Sequence, residues 1–299
     1  MVWRSILISQ PAKLKRQHFS LIIEQNEVAQ VPFEDIAVIV LNHCEITLTH
    51  AVLSACGEYG IGLFSTGNNH QPNGVFTPYL QHTRAVRGLR LQLGLPKPVA
   101  KQTWTRIVRQ KISNQVAALR YSSVEERRLA GYMMRVRSGD VANMEGLAAS
   151  VYFPRLFGKG FTREQECFVN AALDYGYAVL RGAIARGLVA HGLLPAVGIF
   201  HASELNAFNL ADDLIEALRP LVDLRVKNML YTEGDLCPQD KAALVKLLHF
   251  DVAMPRGQMS VLAAIEQMVE SLVRVLEQQQ ASLIELPTLI GLVEHSLEC

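Results

Sequence analysis

Cysteine is sparse and never closely paired. Cys44, Cys56, Cys167, Cys237 and Cys299 form no C-x-x-C, which excludes a zinc knuckle, suggests no disulfide framework and makes a reducing cytoplasm the expected location. No apolar run approaches the roughly 18 to 20 residues that a membrane helix needs, and even IAVIVL, Ile36 to Leu41, is only strand-sized. The first residues, MVWRSILIS, lack a long apolar stretch and a small-residue cleavage site, so no signal peptide is expected. There is no G-x-x-x-x-G-K-[ST] loop to cradle a nucleotide, no internal repeat and no low-complexity tract.

What is present is a globular composition, 49% apolar and 19% charged over 299 residues, enough for one large or two moderate domains. The net charge of +1 hides segregation: Arg84 to Arg137 holds thirteen Lys and Arg against two acids, Glu125 and Glu126, about +11, leaving about −10 elsewhere. Such a block is either a solvated helix face or a footprint for a polyanion such as nucleic acid.

The pattern predicts an α+β protein. Residues 1–76 read as a small β-rich, sandwich-like domain, with strands at Ser5 to Ser9, Ser20 to Ile23, Ile36 to Leu41 and Ile61 to Ser65, and one helix from Ile46 to Tyr59. Gly67 to Gly74, GNNHQPNG, reads as a loop leading to the boundary. Residues 77–299 read as a larger all-α domain, with 3.6-residue periodicity over Tyr79 to Leu93, Pro98 to Arg120, Ser123 to Arg135, Asp140 to Val151, Arg163 to His191, Leu205 to Arg219, Pro238 to Phe250 and Gln258 to Glu277. On the second of these, Trp104, Arg106, Arg109 and Lys111 offer cations and an aromatic ring to a nucleic-acid backbone.

Two stretches carry candidate chemistry. In GIFHASELNAFNLADDLIEALRP, Gly198 to Pro220, helical spacing predicts an apolar stripe of Leu205, Phe208, Ala211, Ile215 and Leu218. Asn209, Asp212, Glu216 and Arg219 then share another face, where clustered carboxylates need a cation or a proton among them. Glu145, alone in NMEGLAASVYF, likewise needs a cation, a hydrogen-bonding network or solvent. On spacing alone, a solvated acidic face and a structural histidine explain these residues better than a metal does.

Three motifs in order alter that balance: N-x-x-E-G at Asn143 to Gly146, N-x-A-L-D-Y-G-Y at Asn170 to Tyr177, and H-x4-N-A-F-N-L-A-D-D-L-I-E at His201 to Glu216. With Trp3-Arg4, Glu34 to Ile36, Ile46 to Thr49 and K-I-x-N-Q at Lys111 to Gln115, the chain resembles the CRISPR-associated protein one family, the integrase of spacer acquisition, in the branch that accompanies type II systems. The resemblance implies that Glu145, His201 and Glu216 are catalytic ligands of a divalent metal, Mg²⁺ or Mn²⁺, with Asp212 and Asp213 as neighbours. It departs where Ala217 and Leu218 replace the family's proline and aromatic, which affects packing and removes no ligand.

The resemblance further implies an enzyme of antiviral defence, a metal-dependent DNA integrase and endonuclease. It joins the 3′-OH of a spacer fragment to a CRISPR repeat by transesterification; cleavage of branched DNA outside integration is the alternative. The implied partners are double-stranded and branched DNA, a second copy in a homodimer, and CRISPR-associated protein two, whose dimer bridges two such homodimers into a heterohexamer; the edge strands that a small sheet leaves unpaired make residues 1–76 the expected homodimer contact. The type II effector nuclease is a further expected partner. The acceptor of the hydroxyl proton stays open between solvent, substrate phosphate and an acid such as Asp213.

Overall fold

A computed structural model describes residues 4–67, 72–78, 85–124, 127–229 and 235–295. Trp3, Arg84, Glu125, Glu126 and the first residues of the helix expected from Tyr79 lie outside the described residues. In chain order the elements are β1 (Arg4–Ile8), β2 (Ala12–Gln17), β3 (Ser20–Glu24), β4 (Val28–Pro32), β5 (Ile36–Leu41), β6 (Ile46–Leu48), α1 (His50–Tyr59), β7 (Gly62–Thr66) and β8 (Pro72–Phe76). There follow α2 (Ala85–Leu93), α3 (Lys97–Tyr121), α4 (Arg127–Arg135), α5 (Met144–Phe157), α6 (Phe168–Ala190), α7 (Asn209–Ile215), α8 (Arg219–Lys227), α9 (Pro238–Val245), β9 (Phe250–Met254), β10 (Gly257–Ser260), α10 (Val261–Gln278) and β11 (Thr288–Glu294).

The β-rich first part and the largely helical second part are as expected, with three corrections, the first being that the helix expected from Ile46 begins at His50, Ile46–Leu48 being strand β6. The second part is not all-α, because β10, β9 and β11 form an antiparallel sheet that occupies Gln258 and its neighbours before α10 begins. The last three residues of the expected boundary loop, Pro72 to Gly74, are strand, Pro72–Phe76 pairing antiparallel with β7.

The first part contains two four-stranded sheets, β1-β5-β7-β8 and β4-β3-β2-β6. β1, β5 and β7 run parallel, and a parallel strand covered on both faces loses the polar alternation of a half-exposed one. β5 shows this: Ile39 packs into a cluster with Leu14, Leu21, Val52 and Cys56, while Val38 and Val40 pack into the main core of the helical part. α6 crosses that second face so closely that a Cβ on Gly182 would stand 2.2 Å from the Phe64 ring, so only glycine permits the approach. The two parts therefore share a packed layer.

α3 runs through the middle of the helical part. Its inner side carries Trp104, Ile107, Val108, Ile112 and Leu119, and buries Lys111, Asn114 and Gln115 as well. Asn114 Nδ2 donates to Ala217 O (2.7 Å) and Pro287 O (2.9 Å), and its Oδ1 accepts from Leu289 N (3.0 Å). One side chain thus ties α3 to the turn between α7 and α8 and to the start of β11.

Candidate active site

Glu145 owes its position to the start of α5. Asn143, in the left-handed region at φ 49°, caps the helix by accepting from Gly146 N (3.1 Å), while Asp140 accepts from Met144 N and Glu145 N (both 2.9 Å). These acceptors satisfy amides that a helix start leaves unpaired. Glu145 stands in that first turn and points at α3.

His201 sits on the loop between α6 and α7, and α7 shapes that loop. Asn209 Nδ2 donates to the carbonyls of Ala196, Ser203 and Asn206, and its Oδ1 accepts from Ser203 N. One turn on, fully buried Asp213 accepts from the backbone N–H groups of Ile199 (2.5 Å), Phe200 (3.0 Å) and His201 (3.1 Å) and from His201 Nδ1 (2.7 Å). A side chain on Gly198 would meet His201 O at 2.2 Å and Asp213 at 2.9 Å, so the loop closes on that carboxylate only with glycine there. The hydrogen bond to Asp213 raises the His201 imidazole above its ordinary pKa, with burial opposing it.

α7 is shorter than the expected helix. It spans Asn209–Ile215, Leu205 is 99% exposed rather than part of a core stripe, and Glu216 lies in the turn before α8. Asn209, Asp213 and Glu216 face the site, whereas Asp212 is engaged elsewhere by Asn206 Nδ2 (2.7 Å) and Arg181 (3.8 Å).

The side chain that joins the site together is Lys111. Its Nζ donates to Glu145 Oε1 at 2.5 Å and forms an ion pair with Glu216 Oε2, and it is only 9% exposed. The other oxygen of Glu216 pairs with Arg219 Nε at 2.8 Å, and that guanidinium lies over the Tyr177 ring. Burial opposes the charge on both Lys111 and Glu216. The mutual attraction wins, holding the ammonium above its usual range and, with Arg219, the Glu216 carboxyl below its own.

Glu145, His201 and Glu216 are thus brought to one region, the two carboxylates meeting at one ammonium and the imidazole close enough to feel the Glu216 charge. The expectation that Lys111 and Trp104 form a nucleic-acid surface is corrected. Trp104 is buried and stacks on Phe200 at 4.2 Å, edge-on to His201. Arg106 and Arg109 do face solvent, and they line a groove of about 590 Å³ with Gln102, Gln110 and Ser113 and, among the described residues, no carboxylate. A further cavity of about 920 Å³ lies between β1 and α10, away from these residues.

The fold is shared with proteins of solved structure. A casposase bound to integration product matches with a TM-score of 0.75 at 17% identity, over 94% of this chain and 92% of that one. A Cas6-RT-Cas1–Cas2 complex matches with a TM-score of 0.73 at 16% identity, over 94% of this chain and 36% of that one. Likeness at such identity concerns architecture alone. The sequence goes further: residues 6–236 match the family model for CRISPR associated protein Cas1, and the CRISPR-associated endonuclease Cas1 of Neisseria meningitidis serogroup C is 46% identical over the whole of both chains. The chain belongs to the Cas1 family.

Proposed function

We propose that this protein is the spacer-acquisition integrase of a type II CRISPR system. The 3′ hydroxyl of a DNA fragment attacks a phosphodiester at the edge of a repeat, and one ester replaces another without ATP. The observation that best supports this reading is the meeting of Glu145 and Glu216, from separate elements, at one cation beside a histidine oriented by Asp213.

The donor set suits Mg²⁺ or Mn²⁺, held by Glu145, Glu216 and His201. The two carboxylates already tolerate a shared positive charge, Glu216 Oε2 is buried against that ammonium, and the bond from Nδ1 to Asp213 leaves Nε2 as the donor atom. Among the described residues, no three His, Cys, Asp or Glu side chains stand close enough together to hold an ion as they are, and Lys111 supplies the charge in its place. When bound, such an ion polarises the phosphodiester and stabilises charge on the oxygens of an in-line displacement.

The chain's own residues do the remaining work. Arg219 anchors Glu216, and Asp213 fixes both the loop and the imidazole. With four donors already on its two oxygens, Asp213 is a positioning residue rather than the acceptor of the hydroxyl proton, which passes to solvent or substrate phosphate. The groove of Arg106 and Arg109 receives the DNA backbone.

Joining both ends of a fragment requires two sites at a fixed span. We assign dimerisation to residues 1–76, where β4 is a sheet edge whose Val28 is 70% exposed, and metal and DNA binding to residues 77–299. The Cas2 named in the structural neighbour supports a heterohexamer of two such dimers bridged by Cas2. The name of the Neisseria relative favours a second reading, endonucleolytic cleavage at the same residues with water as nucleophile. Incubation with Cas2, repeat DNA and a labelled 3′-OH fragment decides: joined product supports the integrase, whereas cleavage without joining overturns it.

A further inference from the structure

Lys111 is more than a salt bridge at the edge of the site. Its ammonium stands between the two carboxylates assigned above to the metal, and Glu216 has Arg219 on its other oxygen. Within these contacts two negative side chains are balanced by two positive ones, and the nearby Asp213 carboxylate is taken up by His201 and three backbone N–H groups. A divalent ion added to this set would leave a surplus of positive charge in a half-buried place, which is costly unless a cation withdraws or an anion arrives.

Of the two cations, Lys111 is the one free to withdraw. Arg219 is stacked on Tyr177 with its Nε against Glu216, whereas a lysine ammonium is a point charge on a flexible stem. The backbone around Glu216 is fixed independently of Lys111, because Asn114 holds Ala217 O from the same helix. Glu216 therefore keeps its place when the ammonium moves.

We propose that Lys111 is a resident placeholder for the metal. It neutralises Glu145 and Glu216 while no divalent ion is bound, competes with that ion for the carboxylates, and on displacement pairs with a phosphate of the DNA that brings the compensating negative charge. Lys111 thereby makes metal binding weak in free protein and coupled to DNA. The inference rests on the metal-site reading above.

The test is a titration of the full-length protein with Mn²⁺, following the signal of free hexaaqua Mn²⁺ by electron paramagnetic resonance, with no turnover required. Lys111→Met removes the competing charge at similar length, Lys111→Gln keeps hydrogen-bond donors for the carboxylates, and Lys111→Arg keeps the charge. The expected result is at least tenfold tighter Mn²⁺ binding in the Met and Gln variants, as follows from removing a unit charge in contact with the ligands, with the Arg variant close to wild type. If one neutral variant fails to fold without metal, a larger Mn²⁺-induced rise in its melting temperature than in wild type supports the same conclusion. Equal or weaker binding in the neutral variants, with wild type still binding, overturns the placeholder and leaves the metal site standing. No binding in any variant, with or without a DNA duplex, overturns both.

Discussion

His201 Nδ1 and Asp213 Oδ1 lie 2.7 Å apart, and the same carboxylate holds the backbone N–H groups of Ile199, Phe200 and His201. One buried side chain thus sets both the path of the loop and the orientation of the ring it carries. Asp213→Asn retains the shape but turns an amide nitrogen toward donors that need an acceptor. Hydrogen bonds to charged groups contribute about 1.5 to 3 kcal/mol each, so a loss of roughly 3 kcal/mol in urea unfolding and a marked fall in joining are expected. A variant as stable and active as wild type would remove Asp213 from this role.

The two carboxylates differ in their surroundings, Glu216 being 8% and Glu145 30% exposed. Glu145→Gln or Glu216→Gln should each lower joining by roughly a hundredfold or more while DNA binding persists. Glu145→Gln leaves Lys111 paired with Glu216 and should cost little stability. Full joining by Glu145→Gln would end its assignment as a ligand.

Behind the site, the Tyr177 hydroxyl donates to Asp223, which is 1% exposed, and burial pushes the Asp223 carboxyl up from 3.8 to about 6. The folded state therefore prefers the protonated form. On this group's account stability is greatest in acid and falls as pH rises from about 4 to about 6, by on the order of 3 kcal/mol. Asp223→Asn cannot ionise. Relative to wild type it should gain by about that amount between pH 4 and pH 7 in denaturant titrations, and an unchanged difference would contradict the assignment.

Arg106 and Arg109 line their groove without a carboxylate among the described residues. Replacing both with alanine should weaken duplex binding uniformly across sequences. Each phosphate contact adds about 0.9 to the slope of log K against log salt, so that slope should fall by about 2. An unaltered slope would place the DNA elsewhere.

Much of this architecture is legible from periodicity, because α3, α5, α6 and α10 each bury a continuous side. What escapes local pattern is what depends on partners distant in sequence. Gln258 to Ser260 continue a helical pattern, yet they pair with β9, whose ladder is fixed only once β11 arrives from beyond α10. Lys111 reads as a solvated cation because its acidic partners lie on other elements; only the K-I-x-N-Q motif singles it out. Leu205 fits a helical stripe, but the loop wound around Asn209 and Asp213 leaves it in solvent. The motif acids and the histidine are legible by resemblance; that Asp213 rather than Asp212 serves the ring depends on where α7 begins.

Asn114 binds the carbonyl next to Glu216 and the first amide of the last strand's buried edge, Leu289. The strand β11 is thereby mechanically in series with the Glu216 carboxylate, some distance away in sequence. Anyone transplanting this centre into a smaller helical scaffold would have to carry β11 along, or supply another brace in its stead.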